Sequence, residues 1–129
     1  MRVDGGAIPT CVSCSLGGNI VAIGYTDEKI RVMDMRVSEN KRQVIELSGS
    51  HSDIIKCVKL SPDGLVCLSA GSDCTFRVWE LSHRRCILTH GSESTIKKFS
   101  TYHKDSITCM DVNFDTDIAY TGGRDGSIF

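Results

Sequence analysis

A long internal repeat constrains the fold of this 129-residue chain more than any other feature. The segment from Val58 to Glu80 aligns without a gap on the segment from Val12 to Asp34, 46 residues earlier. A third copy begins at Met110, a further 52 residues along the chain, and runs to Phe129. Self-similarity at such a spacing is typical of proteins in which similar structural units pack against their neighbours. The sequence therefore predicts three similar units.

Each copy is predicted to form short antiparallel β-strands. Apolar and β-branched residues alternate or form short runs, and turn residues separate these runs. In the second copy the predicted strands lie near 55–60, 65–70, 75–81 and 86–89. Four strands in a unit of this length is the spacing of a propeller blade. The fold class predicted is all-β: a partial β-propeller of about three four-stranded antiparallel blades, the last one truncated.

The whole chain, 1–129, is predicted to be one partial propeller domain. Blade one is expected at about 7–48, blade two at about 51–101 and blade three at about 103–129. Phe129 falls at the second residue of the expected third strand of blade three. An open array of this kind exposes blade faces and unpaired strand edges, so we expect the chain to self-associate.

Composition excludes several classes of partner. The formal net charge is -1, with basic and acidic residues interspersed, which argues against nucleic-acid binding. The longest apolar run, 20–23, is too short to span a membrane. Seven cysteines, an odd number, and no Asn-x-Ser/Thr site favour a cytoplasmic or nuclear location. No cofactor is predicted.

Two histidines repeat at a fixed distance from a turn aspartate. His51 precedes Asp73 by 22 residues, and His103 precedes Asp125 by the same number. The residues Gly71-Ser72-Asp73, followed by Thr75-Phe76-Arg77-Val78-Trp79, resemble the WD-repeat family, whose fold is the β-propeller. The resemblance rests on this segment, on the turn aspartate in every copy and on the upstream histidine.

The resemblance implies one buried hydrogen-bonded relay in a blade of this kind. Its members would be the histidine, the aspartate, a serine or threonine and a tryptophan; here these are His51, Asp73, Ser69 and Trp79, and, in the third copy, His103, Asp125 and Thr121. The first copy departs from this pattern. It keeps the turn aspartate, Asp27, which is also predicted to belong to the structural hydrogen-bond network, but it has Met33 in place of the tryptophan and Gly5 in place of the histidine.

A catalytic interpretation competes with this structural one. Ser69, His51 and Asp73 are the residue types of a hydrolase triad. A catalytic serine must be exposed beside an oxyanion hole, whereas Ser69 is predicted in the middle of a strand. An active site also has no reason to recur at the same spacing in the next blade. The sequence therefore favours a protein without enzymatic activity.

The pair Cys11 and Cys14 suggests a metal or redox site. However, Cys11, Cys57 and Cys109 occupy the same position in their three repeats. No second Cys-x-x-Cys supplies the other half of a zinc site. Cysteines that pack as small apolar side chains are the preferred interpretation, and no metal is predicted.

Partner contacts are expected on the edge that carries the turn aspartates. The residues just before them are Thr26, Ser72 and Arg124, which the resemblance places where the family commonly binds proteins. Arginine is enriched at interface hot spots, so Arg124 is the foremost of the three. The segment 90–102 holds the extra residues of the longer repeat and is either a second contact loop or a tolerated insertion.

The segments 66–87 and 120–125 resemble the WD-repeat cofactors that bind and activate ubiquitin-specific proteases. This resemblance implies a protein-interaction scaffold that activates such a protease without catalysing a reaction itself. The alternative is an adaptor or substrate receptor in another complex, for example in a ubiquitin ligase, in trafficking or in RNA processing.

Overall fold

The computed structural model describes residues 6–91 and 102–129. Most of the predicted insertion therefore lies outside the described residues. Within them the chain forms antiparallel sheets, which confirms the prediction of an all-β fold with blade-like units. The described residues do not form a closed ring.

The first two sheets each contain four strands in chain order. Blade one, as we name the first sheet, contains β1 (Pro9–Cys14), β2 (Ile20–Tyr25), β3 (Ile30–Asp34) and β4 (Val44–Glu46). Blade two contains β5 (Ile55–Leu60), β6 (Val66–Gly71), β7 (Phe76–Glu80) and β8 (Arg85–His90). Short 3-10 helices occur in blade one at Leu16–Gly18 and Glu39–Lys41.

The third sheet, blade three, pairs β9 (Ile107–Asn113) with β10 (Ile118–Gly123). The backbone of Phe129 then returns alongside β10. The Phe129 N–H donates to the Thr121 carbonyl at 3.0 Å, and the Thr121 N–H donates to the Phe129 carbonyl at 2.8 Å. Phe129 thus pairs with β10 in the way that the third strand pairs with the second in the other blades.

The turn after the second strand has the same backbone in all three blades. Glu28, Cys74 and Gly126 follow the turn aspartates and have φ values of 73°, 64° and 76°. Positive φ is uncommon for residues other than glycine. Its recurrence at the aligned positions indicates that the sequence repeat is also a repeat of backbone geometry.

Adjacent blades pack face to face, so each blade has a front face toward the preceding blade and a back face toward the next. One apolar cluster joins blades one and two; it contains Ala22, Ile30, Val32, Leu47, Ile55, Val58, Leu60, Cys67 and Trp79. A second cluster joins blades two and three and is built on Leu68, Ala70, Ile107 and Met110. Because successive residues of a strand point to opposite faces, β6 contributes Cys67 to the first cluster and Leu68 to the second.

Candidate functional site

In blade two, the structure brings together the four side chains of the predicted relay. His51, from the segment before β5, lies between Ser69 of β6 and Asp73 of the following turn. The His51 Nε2 atom is 2.6 Å from Ser69 Oγ, and His51 Nδ1 is 2.8 Å from Asp73 Oδ2. Trp79 of β7 places its Nε1 2.8 Å from the same Ser69 oxygen. All four side chains are almost completely buried.

The chemistry of the groups fixes the direction of each hydrogen bond. An indole N–H can only donate, so Ser69 Oγ accepts from Trp79 and its own O–H donates to His51 Nε2. The Nδ1–H of His51 then donates to Asp73, whose ionised carboxylate can only accept. A neutral imidazole has one N–H group and one acceptor nitrogen, so His51 in that form can make both of its hydrogen bonds in this relay. A chain of buried polar groups without an unsatisfied member pins the turn to the sheet.

Asp73 accepts further hydrogen bonds from the backbone around it. The Thr75 N–H and Oγ1–H donate to Asp73 Oδ1 at 3.0 and 2.8 Å, and the Ser52 N–H donates to Asp73 Oδ2 at 3.0 Å. Burial disfavours the charged carboxylate, but the bonds from His51, Ser52 and Thr75 outweigh this cost. They hold the pKa of Asp73 well below its ordinary value.

Blade three repeats this arrangement with Thr121 in the place of the serine. His103 Nε2 is 2.8 Å from Thr121 Oγ1, and His103 Nδ1 is 3.2 Å from Asp125 Oδ1. The Ser127 hydroxyl and the Lys104 and Ser127 N–H groups also donate to Asp125, which lowers the pKa of its carboxyl. The Phe129 ring packs edge-on against His103, with the ring centroids 4.8 Å apart.

Blade one holds its turn aspartate by different chemistry. Asp27 accepts two hydrogen bonds from the Arg31 guanidinium, at 3.0 and 2.6 Å, which lower the pKa of the Asp27 carboxyl. The guanidinium also lies over the Tyr25 ring, 4.6 Å from its centroid, a cation–π geometry. The sequence predicts Asp27 as a member of the structural hydrogen-bond network; in the structure its side-chain partner is Arg31 rather than a histidine.

Tyr25 occupies the position that glycine occupies in the other two blades. Gly71 and Gly123 align with it, and a Cβ on Gly123 would lie 2.5 Å from His103 Nδ1. A side chain at Gly123 is therefore incompatible with the position of His103, and a Cβ on Gly71 would lie 2.4 Å from the Ile54 carbonyl oxygen. The sequence of blade one has no histidine at the aligned position, and the Tyr25 ring is buried there. Tyr25 and Arg31 form a second type of turn support that sequence reasoning missed; the tyrosine at an otherwise glycine position was the available signal.

The geometry around Ser69 is unsuited to nucleophilic attack. Its side chain has no exposed surface, and its oxygen already accepts from Trp79 and donates to His51. A hydrolase serine needs access to substrate and to an oxyanion hole. The arrangement binds strands together and leaves no room for a substrate at this oxygen.

The repeated cysteines lie opposite small residues. Cys11 pairs with Gly24 across β1 and β2, Cys57 pairs with Ala70, and Cys109 pairs with Gly122. A Cβ on Gly24 or Gly122 would come within 2.7 Å of the facing sulfur, so each thiol fills space over a small partner. Burial raises the pKa of Cys57 to about 12, which makes its thiol a poor nucleophile at neutral pH.

The described ranges hold no group of three or more histidine, cysteine or acidic side chains arranged to bind a metal. Cys11 and Cys14 of the suspected metal pair are free thiols, as are the other five cysteines. In the part of the chain that the structure describes, no helix has the length and apolar character needed to cross a membrane.

The residues before the turn aspartates share one backbone position in all three blades. The N–H groups of Thr26, Ser72 and Arg124 donate to the carbonyls of the segment before each first strand, at 2.9 Å in every case; the acceptors are Ile8, Ile54 and Ser106. These residues lie on one edge of the blades, which we call the turn edge. Arg124 is exposed, and its guanidinium forms no ion pair with the described residues.

Acid is expected to weaken the turn supports. The pKa values of Asp27, Asp73 and Asp125 are lowered in the folded chain. Their contribution to stability is therefore complete above the ordinary aspartate pKa of about 4 and is lost as the pH falls below it. We expect urea titrations to give a free energy of unfolding that falls below pH ~4. Asp73→Asn should reduce this fall; parallel pH curves for the variant and the parent chain would contradict the assignment.

Comparison with known proteins identifies the repeat. The family model described as "WD domain, G-beta repeat" matches residues 41–80 and 86–129. Each matched segment begins near the fourth strand of one blade and continues into the next blade. The segment 41–80 contains β4 of blade one together with β5, β6 and β7 of blade two. Each repeat thus connects two sheets.

Three curated proteins illustrate the similarity. Guanine nucleotide-binding protein subunit beta-2 of Caenorhabditis elegans is 37% identical over 68 residues, which cover 53% of this chain and 17% of that protein. Ribosome biogenesis protein bop1-A of Xenopus laevis is 36% identical over 50 residues, covering 39% of this chain and 7% of its own length. Striatin-4 of Mus musculus is 27% identical over 63 residues, covering 49% and 8%. The chain spans only a small part of each of these relatives.

Proposed function

Because this chain belongs to the WD40 family, we propose that it is a non-catalytic scaffold that binds protein partners through the turn edge. WD40 repeats indicate a protein-interaction scaffold. The observation that carries the proposal for the turn edge is the common backbone bond of Thr26, Ser72 and Arg124. Three different side chains are thereby presented from one rigid backbone pattern, which suits specific recognition of a protein surface.

The relays are proposed to serve as the architecture behind this edge. In blades two and three, His51 and His103 connect a strand hydroxyl to the turn aspartate. In blade one, Arg31 performs the same task for Asp27. Each support holds the turn that carries one proposed contact residue, so the backbone of that turn loses little conformational entropy on binding.

The charges of the turn edge favour a protein partner over nucleic acid. Asp53 and Asp105 are exposed on the segments before β5 and β9, beside the exposed cations Lys104 and Arg124. Mixed charges of this kind match the polar rim of a protein interface, whereas a phosphate backbone requires a basic patch.

The finer proposal is that the partner is a ubiquitin-specific protease, which the chain activates as a cofactor. It is supported by the resemblance of the segments 66–87 and 120–125 to the WD-repeat cofactors of these proteases. Activation would arise if the scaffold contacted the active conformation of the protease more favourably than the inactive one. The compared relatives support the WD40 family rather than this particular role.

The second candidate is an adaptor or substrate receptor in another complex, such as a ubiquitin ligase or an assembly in trafficking or RNA processing. One relative, bop1-A, is named as a ribosome biogenesis protein. We also keep, as a prediction, the blade bounds of about 7–48, 51–101 and 103–129. A cytoplasmic or nuclear location is also proposed, and the seven free thiols are consistent with a reducing compartment.

The proposal is tested by titrating the chain into catalytic domains of ubiquitin-specific proteases with a fluorogenic ubiquitin substrate. We expect binding and a rise in the hydrolysis rate with at least one protease. Arg124→Glu is expected to weaken that binding at least tenfold, about 1.4 kcal/mol, since arginines at hot spots carry energies of this size or more.

The matched control is Arg84→Glu, which makes the same charge change at an exposed arginine between β7 and β8. This turn lies at the opposite end of the sheet from the turn edge, so binding should be unchanged. If the chain neither binds any protease nor raises its hydrolysis rate, the cofactor role is ruled out and the adaptor role is left. Equal losses for both variants would show that net charge, not the turn edge, determines binding.

A further inference from the structure

The loop between β3 and β4 of blade one is longer than the corresponding turn of blade two. It spans residues 35–43, whereas residues 81–84 join β7 to β8, so blade one uses nine residues instead of four. A turn of four residues is enough to connect these strands. Loop residues beyond that number are free to carry a function of their own. The loop lies at the end of blade one opposite to the turn edge, so its role is separate from the protein contacts proposed above.

Ser38 lies near the centre of this loop and is accessible. The residues 35–41 are exposed without interruption. The backbone of Ser38 is extended, with φ -56° and ψ 147°, and its hydroxyl makes no capping hydrogen bond to the 3-10 helix that follows at Glu39–Lys41. A protein kinase acts on a hydroxyl that can enter its active site and pass its proton to a catalytic aspartate. The Ser38 hydroxyl is therefore available for this reaction.

Basic residues flank Ser38 on both sides. Arg36 precedes it by two residues, and Lys41 and Arg42 follow it by three and four. The loop 35–43 contains one acidic residue, Glu39. Charge complementarity between two surfaces favours the matching partner and disfavours the wrong one. The excess of positive charge around Ser38 thus fits a basophilic kinase, that is, one that recognises basic residues near the serine.

Arg42 folds back toward Ser38. The Lys41 N–H donates to the Ser38 carbonyl at 2.9 Å, and the Arg42 N–H donates to the Glu39 carbonyl at 3.3 Å. This turn brings the Arg42 Nη2 atom to 3.2 Å from the carbonyl of Val37, the residue next to Ser38. Among the buried side-chain nitrogen and oxygen atoms of the described residues, Arg42 Nε is left without a hydrogen-bond partner. A guanidinium with an unused donor is thus held beside an exposed hydroxyl.

We propose that Ser38 is a phosphorylation site for a basophilic protein kinase and that Arg42 binds the phosphate. In the reaction, Ser38 Oγ forms a bond to the γ-phosphorus of ATP while the bond from that phosphorus to the β-phosphate oxygen breaks. ADP leaves, and the hydroxyl proton passes to the catalytic aspartate of the kinase. The phosphate carries nearly two negative charges at neutral pH and several strong acceptor oxygens. It supplies the partner that the Arg42 guanidinium lacks, through charge-assisted hydrogen bonds.

Incubation of the chain with ATP and protein kinase C, a basophilic kinase, tests the modification. Mass spectrometry of the peptides is expected to locate a phosphate on Ser38, and Ser38→Ala should lose it. Ser82 is the internal control, because it is also exposed and precedes Arg84 and Arg85. It lies in the short turn of blade two, and its hydroxyl donates to Glu80 at 2.9 Å, so it should stay unmodified. A chain that carries no phosphate on Ser38 overturns the proposal, whatever happens at Ser82.

Phosphorus NMR of the phosphorylated chain tests the role of Arg42. A phosphoserine loses its second proton near pH ~6, and a bound guanidinium favours the doubly charged form. In Arg42→Gln the midpoint of this titration should therefore rise by about 0.5 or more. Arg84→Gln, the matched control, removes the same charge from the turn of blade two and should leave the midpoint unchanged. In concentrated urea the parent chain and Arg42→Gln should titrate alike. Equal midpoints for these two chains in the folded state would overturn the assignment of Arg42.

Discussion

Replacing His51 with alanine is expected to lower the free energy of unfolding by about 3 kcal/mol or more, because each buried polar group left without its partner costs about 1–3 kcal/mol, and more when it is charged. The variant leaves the buried carboxylate of Asp73 without its imidazole partner and the Ser69 hydroxyl without its acceptor. Neither group can reach water, because both side chains are nearly inaccessible. Urea titration followed by the fluorescence of Trp79 measures the effect, since this is the single tryptophan of the chain.

Two other histidines provide the comparison. His83 is exposed and pairs with Glu80 on the surface, so His83→Ala should change the stability by less than about 0.5 kcal/mol. His103→Ala should have an intermediate effect, because the Asp125 side chain is 13% exposed whereas that of Asp73 is 2% exposed. If His51→Ala and His83→Ala unfolded at the same urea concentration, the relay would have no part in stability.

The strands of blade two could be located closely from the sequence. The strand β5 begins and ends at Ile55 and Leu60, as the pattern of apolar residues predicted. The strands β6, β7 and β8 differ from their predicted bounds by one residue at every end. Such differences are of the size at which strand ends are ambiguous in any case. Short runs between clear turn residues leave the chain little freedom in register.

The support of blade one could not be predicted in the same way. The repeat pattern indicated which residues of the relay were absent there, but it did not indicate what replaced them. A salt bridge and a cation–π contact depend on the direction of long side chains, which the sequence spacing does not fix. Tyr25 and Arg31 are adjacent only because β2 and β3 are antiparallel neighbours.

The recurrence of the cysteines was visible in the sequence, whereas its cause was visible only in the strand register. Cys11 and Cys109 face Gly24 and Gly122 on the neighbouring strand, and a Cβ on either glycine would lie 2.7 Å from the facing sulfur. Cys57 faces Ala70, so the partner is a small residue in all three blades. The cross-strand pair, rather than the cysteine alone, is the repeated unit. The same logic applies to the relay, in which Gly123 leaves the space that His103 fills.

Trp79 combines the two contributions that stabilise blade two, a large buried ring and a hydrogen-bond donor. Its indole packs in the cluster between blades one and two, while its N–H donates to Ser69. Trp79→Ala is expected to lower the free energy of unfolding by about 3–5 kcal/mol, because it leaves a cavity that rigid neighbouring sheets cannot fill.

Trp79→Phe separates the two contributions. Phenylalanine keeps much of the ring but lacks the N–H, and Ser69 still donates to His51, so the loss should be about 1 kcal/mol, the value of one hydrogen bond. Circular dichroism during urea unfolding measures both variants, since neither contains a tryptophan. A larger loss for alanine than for phenylalanine indicates that packing between blades one and two dominates. Equal losses would instead assign the stabilisation to the indole N–H and the relay it completes.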